Sequence, residues 1–180
     1  MKIDRQHLVA ICVDLFRRNG YHRTSMEDVA VACGLRKASL YHHFPSKETL
    51  ALAALEQEHE WYTENVFRCA LRRDLPPVER LRLLLAAFVK QMERVDGGCL
   101  HTNLTHELVD ADPAFRPHLR RFFDDWAEAF AEVYRYRHGE DAGDMLGFRA
   151  VGHLHGAVML LRLYGDMRPL EEAVAELLGW

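Results

Sequence analysis

Apolar residues recur every three or four positions along most of this chain, which is the spacing of one buried face of an α-helix. Gly20 follows the first such stripe, at the place where a helix ends. That stripe consists of Leu8, Ile11, Cys12, Leu15 and Phe16. No stretch alternates apolar and polar residues as a half-buried strand does, and no internal repeat is present. The pattern predicts an all-α protein of about nine helices.

Two short helices joined by a tight turn are predicted between residues 25 and 44. Ser25 and Asp28 have the spacing of a capping box, in which two side chains satisfy free backbone N–H groups at a helix start. Gly34 follows the first short helix where a left-handed residue commonly ends one. The second helix is predicted from about residue 36 to 44, with Leu40 and Phe44 one turn apart on its inner face.

The outer face of the second short helix carries small and hydrogen-bonding side chains. They are Ala38, Ser39, Tyr41 and His42. Pro45 ends this helix, and Ser46 is placed to cap the next. Such a pair of helices around a glycine turn is the form of a helix-turn-helix that reads DNA. A buried helical corner with a solvated rim is the alternative, and it is less favoured because the polar and aromatic run at 41–43 would then be exposed without a use.

Helical stripes continue to the end of the chain. A long helix is predicted from Lys47 to about Arg72, and because it contains no Gly or Pro it can act as a lever between the first helices and the rest. Five more helices are predicted between Gly, Pro and Asp residues. Their expected limits are Pro77 to before Asp96, Cys99 to Val109, Pro113 to His138, Asp141 to Tyr164, and a segment after Gly165 that ends near Leu178.

Charge separates the two parts of the chain. The 180 residues are 49% apolar and 28% charged, which suits one large or two small globular domains. The net charge is −4, yet residues 1–50 contain eight Lys or Arg against five Asp or Glu, so they carry +3 and residues 51–180 carry −7. A basic N-terminal part is suited to phosphates. No membrane-spanning run or secretory signal is visible, so a cytoplasmic location is expected.

The predicted helix-turn-helix resembles the tetracycline-repressor (TetR) family of transcriptional regulators. The matching segments are Thr-Ser-Met-Glu-Asp-Val-Ala at 24–30, Ala-Cys-Gly-Leu at 32–35 and Leu-Tyr-His-His-Phe-x-Ser-Lys-Glu at 40–48, where x is a position outside the match. The resemblance implies a helix-turn-helix DNA-binding domain at residues 1–46 and a helical ligand-binding and dimerisation domain at 47–180. It also implies contacts with double-stranded operator DNA, to phosphates from Ser25, Tyr41, His43 and Lys47 and to base edges from Lys37, Ser39 and His42.

Glycines inside the predicted helix at 141–164 indicate a close approach of another backbone. Each costs roughly 1 kcal/mol relative to alanine. Gly152 and Gly156 share one face, and Gly147 is the third. The resemblance implies a homodimer through residues of about 120–138 and 142–164, which would also place two recognition helices on successive major grooves. Close packing within one subunit is the alternative.

Polar groups and aromatic rings mix on the helices of the C-terminal part, as they do around ligand cavities. Each of these residues alone is explained more simply as a core or surface residue. Taken together with the resemblance, however, the set predicts a pocket for a small-molecule inducer. The candidate ligand-binding residues are Trp61, Tyr62, Asn65, Phe88, Met92, Cys99, Asn103, Glu107, Phe123, Trp126 and His155. The spacings of His101 with His106 and of His153 with His155 turn each pair apart, so neither a metal site nor a cofactor is expected.

Cys99 is the one thiol with a local argument for reactivity. The four cysteines, at 12, 33, 69 and 99, lack the spacing of a disulfide framework or a zinc finger. Cys99 follows two glycines at a helix start, where the dipole can lower a thiol pKa, although Glu93 and Asp96 oppose this. An electrophile or redox sensor based on Cys99 is therefore one alternative, and an inert thiol is the other.

The predicted function is a DNA-binding transcriptional regulator, which by resemblance is a repressor released from a palindromic operator by an inducer or by thiol modification. An enzyme is not expected, since Cys99 and His101 offer a nucleophile and a base without a third orienting group or an oxyanion site. A helical ligand-binding module without DNA binding is the other alternative. Salt-dependent binding to duplex DNA separates these classes.

Overall fold

In a computed structural model that describes residues 4–179, the chain is helical throughout and has no strand in that range. Nine α-helices and one 3-10 helix make up the described chain, as the predicted fold class requires. They are α1 Arg5–Asn19, α2 Met26–Ala32, α3 Lys37–His43, α4 Lys47–Asn65, the 3-10 helix Phe67–Leu71, α5 Pro77–Arg94, α6 Leu100–Leu108, α7 Arg116–His138, α8 Glu140–Tyr164 and α9 Arg168–Leu178. None of these helices is both long and apolar enough to cross a membrane.

Packing divides the described chain into two compact units, with the division inside α4. Unit 1 comprises residues 4–60 and Asp96–Leu119, and therefore holds α1 to α3, most of α4, and α6. Unit 2 comprises Trp61–Val95 and residues 120–179, and holds α5, α8, α9 and most of α7. The functional division at residue 46 stays a prediction, because packing does not define which residues bind DNA.

The core of unit 1 begins with the apolar stripe of α1. Asp4 caps this helix by accepting the His7 backbone N–H at 2.7 Å, and Gly20, with φ +82°, ends it. Cys12 is fully buried and Cys33 is half-buried against the same core, as expected for small core residues. Burial raises the pKa of Cys12 to about 12, so this thiol stays protonated. The stripe predicted from sequence therefore forms the inner face of α1.

A buried ion pair links α1 to α4 within unit 1. Arg17 Nη2 lies 2.7 Å from Glu58 Oε1, and Arg17 Nη1 lies 2.7 Å from Asp14 Oδ1. Only 3% of the Arg17 side chain is exposed. Burial raises the pKa of the Glu58 carboxyl, and the Arg17 charge opposes that rise. Because removing one partner of such a pair leaves a buried charge, the pair restricts how α1 and α4 can move apart.

The long lever helix is shorter than predicted. α4 begins after Ser46, whose hydroxyl accepts the Thr49 backbone N–H at 3.1 Å and so forms the expected cap. It ends at Asn65, and the predicted continuation to about Arg72 is wrong. The Asn65 amide donates to the Trp61 carbonyl at 2.8 Å, a local bond of the kind that weakens a helix. The chain then turns into the 3-10 helix, which buries Phe67.

The start of α7 also differs from its prediction. The helix begins at Arg116 and not at Pro113. Asp112 Oδ1 accepts the Ala114 backbone N–H, two residues on, at 3.0 Å, which makes a local turn in place of a helix cap. The other predicted helix limits agree with the structure within the one or two residues by which such boundaries vary.

Candidate nucleic-acid interface

Local hydrogen bonds fix the two short helices around their turn. The Ser25 backbone N–H donates to Asp28 Oδ2 at 2.8 Å, and the Asp28 backbone N–H donates to Ser25 Oγ at 3.1 Å. These bonds confirm the predicted capping box, and the bonds from Ser25 lower the pKa of the Asp28 carboxyl. Gly34 has φ +64°, the left-handed conformation that its position requires. Residues within the motif itself thus define where α2 begins and ends.

One side of α3 is packed and the other faces solvent. Leu40 is fully buried, and Phe44, just beyond the helix, is 2% exposed. The candidate base-reading residues are all exposed, namely Lys37, Ser39 and His42. Tyr41 is 43% exposed and is therefore not packed beneath its own helices. The predicted orientation of α3 is confirmed.

The candidate phosphate ligands differ in how free their polar groups are. Ser25 Oγ is occupied in the cap of α2. His43 is half-buried, with its ring centroid 6.2 Å from that of His42. Lys47 Nζ donates to the Tyr21 carbonyl at 3.1 Å and lies 4.1 Å from the centre of the Tyr21 ring. A phosphate contact from Lys47 would therefore compete with bonds that hold the turn after α1.

Unit 2 contains an aromatic cluster around Trp126. The Trp126 ring lies 5.1 Å from Phe88, 5.9 Å from His155 and 6.0 Å from Tyr62, measured between centroids. Phe123 joins through His155 at 5.2 Å. The structure thus brings these five predicted ligand-binding residues together. Three more rings belong to the same cluster and are not among the predicted ligand-binding residues: Phe67, Phe122 and Phe130.

The sequence contains a signal for two of these three additional rings. Phe122 and Phe130 lie on the apolar stripe of α7 and could have been selected from it. Phe67 could not, since its place depends on the early end of α4. Of the other predicted ligand residues in unit 2, Met92 is buried and Trp61 is half-buried beside Tyr62. Asn65 is exposed, with its amide on the Trp61 carbonyl, and stands apart from the cluster.

The imidazole of His155 is held neutral by its surroundings. The side chain is buried between Phe88, Phe123 and Trp126, and burial lowers its pKa to about 4. A charged imidazole would lose its hydration there without a compensating charge from these rings. At neutral pH the cluster is therefore an uncharged part of the core, made mostly of buried aromatic rings.

The remaining predicted ligand residues lie in unit 1 and are used in other contacts. Asn103 Nδ2 donates to the carbonyls of Gly97 at 2.8 Å and Arg17 at 3.1 Å. The Glu107 carboxylate accepts backbone N–H groups of the turn after α1. Cys99 is 1% exposed, and burial raises its pKa, more than bonds with Thr102 lower it. Of the two alternatives for Cys99, the inert thiol is therefore favoured, because desolvation outweighs the helix dipole.

The histidines at positions 153 and 155 make separate contacts. Among residues 4–179, no group of three or more His, Cys, Asp or Glu side chains is arranged to hold a metal ion. His153 Nε2 lies 3.1 Å from Glu176 Oε2, which ties α8 to α9. His155, two residues on, points into the aromatic cluster.

Two glycine pairs of α8 have different surroundings. A Cβ on Gly147 would lie 2.4 Å from the Ala127 carbonyl oxygen, and one on Gly143 would lie 2.6 Å from the Arg135 backbone nitrogen, so these glycines let α7 approach. Nothing in the described chain lies within 4 Å of a Cβ on Gly152 or Gly156. Packing within the described chain thus explains the first pair only. Exposed apolar side chains continue the stripe of the second pair at helical spacing: Met145, Phe148, Met159 and Leu163.

Both parts of the chain match known protein families. Residues 11–54 match the family described as bacterial regulatory proteins, tetR family. Residues 77–177, more than half of the chain, match the family described as tetracyclin repressor-like, C-terminal domain. The fold and the helix-turn-helix are thus accounted for by the same family.

Individual relatives agree over nearly the whole length. HTH-type transcriptional repressor DhaR from Mycobacterium sp. (strain GP1) is 28% identical and aligns with 93% of this chain and 87% of its own. A TetR transcriptional regulator from Chloroflexus aurantiacus J-10-FL is 32% identical, covering 97% of this chain and 92% of its own with a TM-score of 0.84. One from Legionella pneumophila, 22% identical, shares the fold with a TM-score of 0.88 over 98% of this chain and 97% of its own. The chain belongs to the TetR family of bacterial regulatory proteins, and it is a DNA-binding transcriptional regulator and not an enzyme.

Proposed function

We propose that the protein is a homodimeric repressor that binds a palindromic operator through α3 and leaves it when a small molecule binds in unit 2. The carrying observation is that α3 is packed on one side only, with Leu40 buried and with Lys37, Ser39 and Tyr41 exposed. The word repressor comes from the relative DhaR, which is named as one. Because the DNA of a bacterium lies in its cytoplasm, we place the protein there.

The operator contacts follow from the exposed side of α3. Lys37, Ser39 and His42 would donate or accept hydrogen bonds at base edges in the major groove. Tyr41 would bind a phosphate through its hydroxyl, and His43 would do so at the end of α3, with Ser25 as a further phosphate ligand. Lys47 would contribute mainly through the positive potential that it adds to the turn after α1.

Dimerisation would cover the exposed stripe of α8. Met145, Phe148, Met159 and Leu163 together form an apolar surface of the kind that subunit contacts bury. Gly152 and Gly156 lie in the middle of this stripe, where a second helix could approach without meeting a side chain. The proposed interface, at about 120–138 and 142–164, would repeat the stripe across a two-fold axis.

The inducer would bind at the aromatic cluster of unit 2. Tyr62, Phe88, Trp126 and neutral His155 form a buried, mostly apolar cluster without fixed charge, and an apolar small molecule that displaced some of these rings would find such surroundings favourable. To release the operator, the inducer must bind the DNA-free conformation more tightly than the DNA-bound one. The thiol route through Cys99 is less favoured because burial keeps this thiol protonated.

Binding to duplex DNA as a function of salt tests this proposal. The probe is a fluorescent duplex selected from a random-sequence pool by the wild-type protein, and anisotropy reports the dissociation constant. We expect affinity to fall steeply with added salt, Tyr41→Ala to weaken binding to every duplex, and Lys37→Ala to alter sequence preference. Binding that is unchanged in both variants, or absent in the wild type, would refute α3 as the reading element.

A further inference from the structure

An acidic residue of α2 lies against the first residue of α3. Lys37 Nζ is 3.4 Å from Glu27 Oε2, and the two side chains are 53% and 59% exposed. Glu27 is free to make this contact because Asp28, and not Glu27, forms the capping box with Ser25. The surface that faces DNA in the proposed function therefore carries a negative charge beside its N-terminal reading residue.

We propose that Glu27 is a specificity-determining residue, which holds the Lys37 ammonium at the start of α3 and penalises binding to DNA that offers Lys37 no base acceptor. This inference rests on the proposed function, since it concerns how α3 chooses among duplexes. Glu27 acts through Lys37 and through its own charge, and it need not touch a base.

On DNA of arbitrary sequence the Glu27–Lys37 pair lowers the binding affinity. The nearest attraction for a lysine is a phosphate, and Lys37 can move to one only by leaving Glu27. Glu27 then remains as an unpaired carboxylate beside the negatively charged backbone, where like charges repel. Both effects weaken the sequence-independent part of binding.

On a matching operator the same pair can stay intact. An ammonium group has three N–H donors and no acceptor. Lys37 can therefore donate to O6 and N7 of a guanine in the major groove and keep a donor for Glu27. The carboxylate stays neutralised, so the penalty falls mainly on duplexes without a guanine at that position.

If the pair had a purely structural role, loss of the Glu27 charge would lower the unfolding midpoint. Because exposed ion pairs contribute little to folding, we expect the midpoint of Glu27→Gln to stay unchanged. The effect should appear in the ratio of operator affinity to non-specific affinity, and it should depend on Lys37. Glu48, an exposed acid in the first turn of α4, provides the matched control, because Glu48→Gln removes the same charge from the same part of the chain.

The test compares Glu27→Gln and Glu48→Gln on two duplexes, the operator selected by the wild-type protein and a scrambled duplex of equal length and composition. We expect Glu27→Gln to raise affinity for the scrambled duplex about three- to fivefold more than Glu48→Gln does, the size expected of an exposed ion pair. The operator-to-scrambled ratio should fall accordingly. The salt slope on the scrambled duplex should steepen by about one, as for one added phosphate contact.

Two outcomes would overturn the inference while the wild type still binds its operator. One is that Glu27→Gln and Glu48→Gln change both affinities alike. The other is that Glu27→Gln lowers the operator-to-scrambled ratio as much in a Lys37→Ala background as it does in the wild type, which would show that its effect on specificity does not act through Lys37. If the wild-type protein binds no duplex in a salt-dependent manner, the proposed function fails first and this inference falls with it.

Discussion

The carboxylate of Glu107 on α6 accepts a hydrogen bond from the backbone N–H of Tyr21, 86 residues earlier in the chain, at 3.0 Å. Its second oxygen accepts the His22 N–H, also at 3.0 Å. The Tyr21 carbonyl is also bound, because it accepts a hydrogen bond from Lys47 Nζ. The turn between α1 and α2 is thus fixed by charged side chains from α4 and α6, all within unit 1.

Replacement of Glu107 by Gln should loosen this turn. One oxygen can still accept an N–H, but the amide NH2 group cannot, so one backbone donor loses its partner. Loss of a hydrogen bond to a charged acceptor costs about 1–3 kcal/mol. We expect a lower unfolding midpoint together with faster amide hydrogen exchange at Tyr21 and His22. Exposed Glu93 provides the control, and equal effects of Glu93→Gln and Glu107→Gln would contradict the structural role of Glu107.

The pH dependence of stability should carry a contribution from His155. Burial lowers its folded pKa from 6.5 to about 4, so the unfolded chain binds a proton there that the folded chain does not. Stability from this group is complete above pH 6.5 and is lost progressively as the pH falls to 4. The loss amounts to roughly 3 kcal/mol.

A His155→Phe variant isolates that contribution, since it keeps an aromatic ring of similar size in the cluster and removes the titrating group. Denaturant unfolding of both proteins should be compared at several pH values between neutral and acidic. The difference in free energy of unfolding between wild type and variant should change in favour of the variant as the pH falls. A difference that does not vary with pH would show that His155 does not titrate as its burial implies.

Thiol labelling should distinguish Cys99 from the other cysteines. Thiolate is the reactive form of a cysteine. Burial raises the pKa of Cys99, and only 1% of this residue is exposed. At neutral pH, iodoacetamide should modify half-buried Cys69 well before Cys99 in the folded protein. Mass spectrometry of quenched time points provides the measurement, with denatured protein as the control in which all thiols react. Labelling of folded Cys99 as fast as that of Cys69 would restore the sensor alternative.

The parts of the fold that were predictable from sequence depend on neighbours along the chain. The Ser25–Asp28 capping box, the left-handed Gly34 and the outward face of α3 each follow from spacing within a few residues. Helix-turn-helix geometry is specified in this way because its turn, caps and stripe are all local. The sequence alone is therefore sufficient to predict the candidate DNA-binding surface, because this surface does not depend on distant contacts.

The features that sequence did not reveal depend on distant partners. Nothing near Arg17 indicates that it is buried, since its partner Glu58 lies 41 residues away. Glu107 was assigned to a ligand because a polar residue on an apolar helix can serve either a cavity or a backbone turn, and only the fold distinguishes these. The end of α4 at Asn65 was missed for a related reason, because Asn carries only a weak helix penalty and the burial of Phe67 decides the outcome.

The two glycine pairs of α8 provide a test of the proposed dimer contact. A methyl group at Gly147 would meet the Ala127 carbonyl oxygen at 2.4 Å, so Gly147→Ala should force α7 and α8 apart and destabilise the subunit by about 1–3 kcal/mol. A methyl group at Gly152 meets nothing within 4 Å in the described chain. Gly152→Ala should even favour the helix of an isolated subunit, by up to about 1 kcal/mol.

If the dimer forms through the α8 stripe, Gly152→Ala should affect association more than Gly147→Ala does, although it affects folding less. Gly152→Ala should weaken the dimer, because the added methyl group lies where the second helix approaches closely, whereas its helicity and fold should be retained. Sedimentation velocity over a dilution series measures dissociation, and circular dichroism at a fixed protein concentration measures folding. A Gly152→Ala protein that dimerises as tightly as the wild type would place the subunit contact on another face, since a close helix crossing at Gly152 leaves no room for a Cβ.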